Sequence, residues 1–216
     1  HNRIISVVGT RKPSPEGISI CKKIVQNLKD YDPIILSGLA NGIDICAQTE
    51  AVKNNLQTIG VLAHGHKYIY PPEHRNIVQQ MVLQGGTISE FDFYQKPERE
   101  FFPMRNRLIA ALSDACLVVE SKTQGGSMIT ANLAFGYNKE VFAIPGRPKD
   151  YKSRGCNHLI QNNKAMLVES AKDIAQALNW SLPSSKGIQQ RLFIDLNDTE
   201  KEVFGLLKRC KEMQLE

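Results

Sequence analysis

The chain has 216 residues, of which 42% are hydrophobic, and its formal net charge at pH 7 is +5. This length suits one large domain, or one domain with part of a second. The longest apolar runs, such as IILSGLA, are far too short to span a bilayer, and no signal peptide is visible, so we expect no membrane contact. Five scattered cysteines without a C-x-x-C pair indicate a reducing, cytoplasmic compartment. The mildly basic charge permits a nucleic-acid partner without requiring one.

Short β-branched runs alternate with segments of helical apolar spacing. In chain order, the predicted strands cover residues 4–8, 34–36, 58–62, 87–89, 115–120 and 141–144. One predicted helix is opened by Ser14 and Pro15, a second is capped by Asn41, and the last starts with a capping-box pair, Ser170 and Asp173. The others cover about 74–83, 105–112 and 128–137. This alternation predicts an α/β fold with a doubly wound, mostly parallel sheet.

Two domains are predicted. Residues 1–180 are expected to form the α/β domain. Residues 181–197 open with SLPSSKG, a composition typical of a linker. Beyond them, Thr199 and Glu202 form another capping box ahead of an apolar stripe. We therefore interpret residues 198–216 as the first helix of a truncated, helical C-terminal domain.

Clusters of small and polar residues follow the predicted strands, at positions 9–11, 37–44, 64–66, 89–90, 121–127 and 145–147. In a parallel sheet these positions share the carboxyl edge, where open α/β sheets bind ligands. Helix N-termini there present free N–H groups, glycines permit close approach, and Arg11 adds a bidentate donor. We therefore predict a phosphate site at this edge. The alternative is that the glycines only form tight turns.

A second basic cluster is FFPMRNRLIAALS, in which Arg105 and Arg107 flank Asn106 at the expected start of a helix. A cation at that end opposes the helix dipole, which suggests that it serves a ligand. The alternative is an ordinary helix start with a structural ion pair to Glu90 or Glu120.

Just upstream, aromatic residues are interleaved with Lys96 and Arg99; they are Phe91, Phe93, Tyr94, Phe101 and Phe102. Aromatic rings among cations suit single-stranded nucleic acid, whose bases stack and whose phosphates pair with the cations. A loop held by aromatic packing is the alternative.

Several common sites are not expected. The first strand is not followed by G-x-G-x-x-G, and the chain has no Walker motif, which argues against a dinucleotide cofactor or a nucleotide hydrolase. His64 and His66 form an H-x-H pair with no nearby Cys, Asp or Glu, so no metal site is predicted. Ser37 lacks the surroundings of a nucleophile elbow, and no catalytic residue is predicted.

Seven segments resemble the DprA/Smf family of DNA processing proteins, in family order over roughly residues 4–170; they are VVGTRKPSPEG, LSGLANGIDICAQTEAV, TIGVLAHGHKYIYPPEHR, GGTISEF, FFPMRNRLIAALSDACLVVES, GGSMITANLAFGYNKEVFAIPG and GCNHLIQNNKAMLV. The resemblance implies an extended Rossmann-like core that binds single-stranded DNA in a basic pocket and has no known catalysis. It also implies a role in loading the RecA recombinase during natural transformation, homodimers, and a C-terminal winged-helix domain.

The resemblance also implies site residues. Arg11 matches the family's pocket arginine, and Arg75 and Lys96 lie where further pocket cations are usual. Pro72 stands after Tyr70 and Pro71 where the family often has Lys. The predicted DNA- and phosphate-binding residues are Gly9, Thr10, Arg11, Ser37, Gly38, Asn41, Gly42, Arg75, Lys96, Arg105, Asn106, Arg107, Gly125, Gly126, Ser127 and Thr130.

The expected function is therefore single-stranded DNA binding that protects incoming DNA and helps load RecA, without enzymatic activity. The runner-up is an enzyme like the LOG-type nucleoside monophosphate phosphoribohydrolases, which carry G-G-x-G-T-x-x-E. This chain has Gly125, Gly126 and Thr130, but Asn132 and Leu133 stand where the essential Glu would be expected. A third alternative is a pure protein-interaction module for RecA.

Overall fold

The computed structural model describes residues 3–182, and within them seven strands form one sheet. The strands are β1 (Ile4–Val8), β2 (Ile34–Ser37), β3 (Thr58–Val61), β4 (Gly86–Ile88), β5 (Ala115–Val118), β6 (Glu140–Ala143) and β7 (Met166–Leu167). Their order is β4-β3-β2-β1-β5-β6-β7, and every neighbouring pair is parallel. The doubly wound parallel sheet is thus confirmed. The strand order changes direction between β1 and β5.

The helices cover both faces of this sheet. They are α1 (Pro15–Leu28), α2 (Ile43–Lys53), α3 (Arg75–Met81), α4 (Phe101–Leu112), α5 (Gly126–Gly136), α6 (Arg154–Gln161) and α7 (Ala171–Ala177). Helices α1, α2 and α7 pack in one core that includes Ile24 and Ile174. Helices α4, α5 and α6 pack in another that includes Ile109 and Leu159. All four residues of β5 are buried, as expected for a parallel strand covered on both sides.

Two boundaries differ from the sequence predictions. Helix α4 begins at Phe101 rather than at residue 105, because Pro103 falls in the first turn, where its missing N–H has no helical acceptor anyway. Asn41 does not cap α2: the N-cap is Gly42, which has a φ of +87° and no side-chain cap bond.

Strand β7 and helix α6 were not predicted. Strand β7 has only two residues, and both side chains are exposed, so no apolar pattern marks it. The capping box at Ser170 is confirmed: its Oγ accepts from the Asp173 N–H at 3.3 Å, and the Asp173 carboxylate accepts from the Ser170 N–H at 2.9 Å. The linker beyond residue 182 and the helix over 198–216 lie outside the described residues. No helix among the described ones is long and apolar enough to cross a bilayer.

The start of α1 is tied to the end of β5 through Ser14 and Glu120. The Ser14 Oγ accepts from the Gly17 N–H at 2.9 Å, which confirms the predicted cap. The Ser14 hydroxyl donates to the Glu120 carboxylate, which also accepts from the Ser14 N–H at 2.8 Å. Since Glu120 is buried, these donors satisfy a carboxylate that is largely removed from water.

Replacing Ser14 by Ala removes both the cap and one donor to Glu120. We expect Ser14→Ala to lower the free energy of unfolding by about 2 kcal/mol in urea denaturation. Ser19→Ala, at an exposed position of the same helix, is the matched control and should change it by less than about 0.5 kcal/mol. Equal effects of the two substitutions would contradict the structural role of this contact.

Candidate nucleic-acid interface

A cavity of about 790 Å³ opens at the carboxyl edge of the sheet, between the ends of β1 and β5. This is the point where the strand order changes direction, which is where open α/β sheets place their ligands. Its walls come from residues 9–11 after β1, from 97–109 at the start of α4, and from 121–130 at the start of α5.

Nine of the sixteen predicted site residues line this cavity: Gly9, Thr10, Arg11, Arg105, Asn106, Gly125, Gly126, Ser127 and Thr130. The other seven, Ser37, Gly38, Asn41, Gly42, Arg75, Lys96 and Arg107, are not part of its lining. Among these, Ser37 is fully buried, and its hydroxyl donates to the Val7 carbonyl at 2.6 Å. Arg75 and Lys96 are exposed on the surface outside the cavity.

The loop after β1 is held tightly. The Thr10 N–H donates to the Glu120 carbonyl at 2.7 Å, and the Thr10 carbonyl accepts from the Ile43 N–H at 3.2 Å. A Cβ added at Gly9 would lie 2.6 Å from Ile43 Cγ1, and one added at Gly42 would lie 2.2 Å from the Thr10 oxygen. Glycine is therefore required at both positions by close approach of the chain to itself.

Arg11 is exposed at the mouth of the cavity, and its guanidinium lies 5.6 Å from the centre of the Phe102 ring. Within residues 3–182 the ion pair present joins Arg107 to Glu90, so Arg11 has no carboxylate partner there. Its charge is available to an anion. The ion pair between Arg107 and Glu90 matches the alternative given in the sequence analysis, an ordinary helix start with a structural ion pair.

Gly125 and Gly126 open helix α5 toward the cavity. The N-cap Gly125 makes no side-chain cap bond, and a Cβ at this position would meet nothing within 4 Å. The glycine therefore leaves space beside the first N–H groups of the helix, which a ligand anion can approach. The buried hydroxyls of this turn are already engaged: Ser127 Oγ lies 2.8 Å from Ser121 Oγ, and Thr130 donates to the Gly126 carbonyl at 3.2 Å.

Arg105 is placed differently from the expectation. Because α4 begins at Phe101, Arg105 lies one turn inside the helix and not at its positive end, and only 3% of it is exposed. Its guanidinium donates to the Gly38 carbonyl at 2.8 Å and to the Val61 carbonyl. Burial lowers the pKa of Arg105 to about 10, although the nearby Asp44 opposes that shift. Arg105 thus joins the ends of β2 and β3 beneath the cavity.

Asp44, in the first turn of α2, also lies at the cavity floor. Burial raises the pKa of Asp44 to about 6, against the opposing effects of Arg105 and of the Gly38 and Ala40 N–H groups. From the sequence this residue was only an acid near a helix N-terminus. Its burial depends on the loop 38–42 folding over it, which no local pattern encodes.

Sequence reasoning did not single out Lys122 and Tyr70, which line the cavity, and it named the lining residues Arg99 and Phe102 only as members of the aromatic and basic cluster. Lys122 stands in the SKTQGGS loop, and its position beside two glycines was the available signal. The Tyr70 and Phe102 rings lie 5.7 Å apart and form an aromatic wall. The other aromatic residues pack together, with Phe91 4.6 Å from Phe101 and Phe93 5.0 Å from Tyr94.

The H-x-H pair of His64 and His66 follows β3. His64 is buried, its Nδ1 lies 2.9 Å from the Gly65 carbonyl, and burial lowers its pKa. In the part of the chain that the structure describes, no three side chains of His, Cys, Asp or Glu cluster as metal ligands.

The strand order and the cavity at its change of direction define a Rossmann-like protein with a cavity at the carboxyl edge of its sheet. A family model described as DNA recombination-mediator protein A matches residues 1–179, and the chain belongs to this family. The chain is 39% identical to Protein Smf of Synechocystis sp. over 171 residues, which is 79% of this chain and 43% of the relative. It is 38% identical to DNA processing protein DprA of Bacillus subtilis over 176 residues, or 82% of this chain and 59% of the relative. The chain spans about half the length of these curated relatives.

Among solved structures, DprA from Helicobacter pylori, described for its single-stranded DNA binding mode, superposes with a TM-score of 0.75 at 29% identity. The match covers 82% of this chain and 80% of that one. The structural likeness therefore extends over nearly all of the described α/β domain.

The raised pKa of Asp44 predicts a pH dependence of stability. The folded pKa of about 6 exceeds the ordinary 3.8, so the folded protein holds this proton more tightly, and the associated stability is lost as pH rises from about 4 to about 6. The loss is about 3 kcal/mol. Denaturation across this range should show the unfolding free energy of the wild type, minus that of Asp44→Asn, falling by that amount as pH rises.

The surface variant Asp30→Asn controls for removal of one carboxylate from the same chain. A difference between wild type and Asp44→Asn that stays constant from about pH 4 to about pH 6 would show that the Asp44 carboxyl has an ordinary pKa.

Proposed function

We propose that this chain binds single-stranded DNA in the cavity between β1 and β5, and that it does so as a DNA processing protein that protects incoming DNA and helps load RecA. The observation that carries the proposal is the combination of Arg11, Lys122 and the open start of α5 around one cavity. Neither cation pairs with a carboxylate within residues 3–182.

Phosphate is the group these donors suit best. Arginine offers a planar, bidentate donor set that matches a phosphate, and lysine adds a point charge. The free N–H groups at Gly126 and Ser127 add the positive end of the α5 dipole. Arg105 and Asp44 stay beneath these groups and hold the floor, which leaves the exposed cations of the lining, Arg11, Arg99 and Lys122, as the proposed charged contacts.

The aromatic wall supports a preference for single strands. Phe102 lies beside Arg11, and Tyr70, which is 46% exposed, lies beside Phe102. A base stacked on such rings gains about 1–3 kcal/mol, and only an unpaired strand presents its bases for stacking. The cavity thus offers cations for the phosphates of a single strand and aromatic rings for its bases.

Binding without catalysis is the second part of the proposal. In α5, Asn132 and Leu133 stand where the phosphoribohydrolase motif has its Glu, and the Asn132 amide donates to the Met128 carbonyl at 2.8 Å and accepts from Lys164 Nζ at 3.0 Å. The carboxyl groups that line the cavity, Asp44 and Glu98, come from other elements. Asp44 is buried, and its carboxylate already accepts from the Gly38 N–H at 3.2 Å.

We further propose RecA as a protein partner, a homodimer, and a cytoplasmic location. The RecA proposal is supported by membership of a recombination-mediator family. The homodimer is supported by the apolar edge at β7, where Met166, Leu167 and the neighbouring Phe135 are each about half exposed.

The strand preference is tested by titrating oligo-dT against a duplex of the same length. We expect the single strand to bind at least about tenfold more tightly at physiological salt, because one stacked base accounts for that difference. Equal affinities for the two forms would exclude a role for the Tyr70 and Phe102 wall in binding bases.

The phosphate contacts are tested by Arg11→Ala and Lys122→Ala. Each substitution should flatten the slope of log affinity against log salt by about 0.7, the value for one phosphate of a single strand. Each should weaken oligo-dT binding by about 2 kcal/mol. Lys23→Ala, at an exposed position of α1 outside the cavity lining, is the matched control and should leave slope and affinity unchanged. Unchanged binding in folded Arg11→Ala would show that residues 9–11 form only a turn and do not contact DNA.

A further inference from the structure

The segment that leads from β6 into the first residue of α6, which we call the basic loop (residues 147–154), has no part in the function described so far. It carries four cations, one carboxylate and one tyrosine within eight residues: Arg147, Lys149, Lys152, Arg154, Asp150 and Tyr151. The cations are not held in the core, since Arg147, Lys149 and Arg154 are exposed and Lys152 is half-buried.

The basic loop is anchored to the rim of the cavity. At its C-terminal end the Gly155 N–H donates to the Ser121 carbonyl at 2.7 Å, and a Cβ at Gly155 would lie 2.3 Å from the Lys122 oxygen. At its N-terminal end the Gly146 N–H and carbonyl pair with the Asn157 side chain at 3.1 and 2.9 Å. Ser121 and Lys122 line the cavity, so the basic loop begins where the cavity wall ends.

Two turns shape the loop between these anchors. The Asp150 N–H donates to the Arg147 carbonyl at 2.9 Å, and the Ser153 N–H donates to the Asp150 carbonyl at 3.1 Å. The Asp150 carboxylate accepts from the Lys152 N–H at 3.4 Å. The loop therefore has internal structure of its own, which places its side chains at defined positions on the surface.

Tyr151 lies between two cations and connects the loop to the cavity. Its ring is 55% exposed. Lys122 Nζ, which belongs to the cavity lining, lies 4.7 Å from the ring centre, and Arg154 Cζ lies 5.9 Å from it. One continuous surface thus runs from the cavity through Lys122 and Tyr151 to Arg154.

The cations of the basic loop lack acidic partners. Over the described part of the chain, the ion pair present is the one between Arg107 and Glu90. Like charges held close together on an anchored loop repel one another, and a polyanion that binds across them relieves this repulsion. An exposed aromatic ring among cations adds a stacking surface. The bases of a nucleic acid can stack on such a ring, whereas the carboxylates of an acidic peptide cannot.

We propose that the basic loop is a second contact site for single-stranded DNA, which receives the strand as it leaves the cavity. Lys149, Lys152 and Arg154 hold phosphates, and Tyr151 stacks on a base. This inference rests on the proposed function of the cavity, which it extends along the strand.

The charges are tested with the triple variant Lys149→Gln, Lys152→Gln, Arg154→Gln and with oligo-dT of two lengths. An oligomer of about 20 nucleotides spans both sites, and one of about 6 occupies the cavity alone. For the long oligomer the salt slope should flatten by about 2, and affinity at low salt should fall about tenfold or more. For the short oligomer affinity should stay within about twofold, since the phosphate count in the cavity is unchanged.

Two further variants separate charge from stacking. Tyr151→Phe keeps the ring and should bind the long oligomer as the wild type does, whereas Tyr151→Leu should weaken it about tenfold. The triple variant Lys22→Gln, Lys23→Gln, Lys29→Gln removes the same charge from exposed positions of α1 and the residue after it, and should leave both affinities unchanged, since none of these lysines lines the cavity or the pocket beside the loop.

The outcomes distinguish the two proposals. A wild-type protein that binds neither oligomer would overturn both. A wild-type protein that binds both, with the loop variant indistinguishable from it at either length, would overturn the second site and leave the cavity's function standing. An equal loss at both lengths would also overturn the second site, because the loop would then act through the cavity.

Discussion

The loop after β1 is held between two neighbours by the backbone of Thr10, whose N–H donates to Glu120 and whose carbonyl accepts from Ile43. This pair of bonds joins the ends of β1 and β5 to the start of α2. The glycines at 9 and 42 are needed because a side chain at either position would collide with this junction. The rest of this edge depends on it: the junction sets the position of Arg11 and defines one wall of the cavity.

Beneath that edge, Asp44 and Arg105 have opposite charges in a region with little water. Burial raises the pKa of Asp44 and lowers the pKa of Arg105, and in both cases this favours the neutral form. The charge of each side chain opposes the pKa shift of the other. Asp44 is further compensated by N–H groups of the loop after β2, and Arg105 by the carbonyls of Gly38 and Val61. The two side chains thus close the ends of β2 and β3, and the groups proposed to bind DNA are the exposed ones above them.

This separation explains why the cations near the cavity differ in their expected roles. Arg107 is paired with Glu90, and Arg105 is committed to backbone carbonyls, so neither is free to follow an incoming strand. Arg11 and Lys122 are unpaired within residues 3–182 and stand at the cavity. Electrostatic binding of a strand depends on cations that can exchange solvent and counterions for phosphate, and the charge of an arginine already bound to the protein contributes less.

Much of the fold follows from local patterns in the sequence. Apolar residues at every position of a short run indicate a strand buried on both faces, and Ser14, Pro15, Ser170 and Asp173 mark helix starts because capping uses groups within one turn. The clusters after each strand correctly indicated the carboxyl edge, since parallel strands share it. The chain's family could be identified from its motifs alone.

What the tertiary structure decided are the contacts between residues far apart in the chain. Arg105 reaches the Gly38 carbonyl across 67 residues, and Asp44 becomes the floor of a cavity whose other walls come from three distant segments. Lys122 lies close to Tyr151 where Gly155 allows the chain to approach the loop after β5 closely. Periodicity and capping record which face of an element is buried, because they depend on neighbours within a few positions. They carry no information on which elements meet, so the burial of Arg105 and Asp44 and the joining of cavity and basic loop were determined only by folding of the whole sheet.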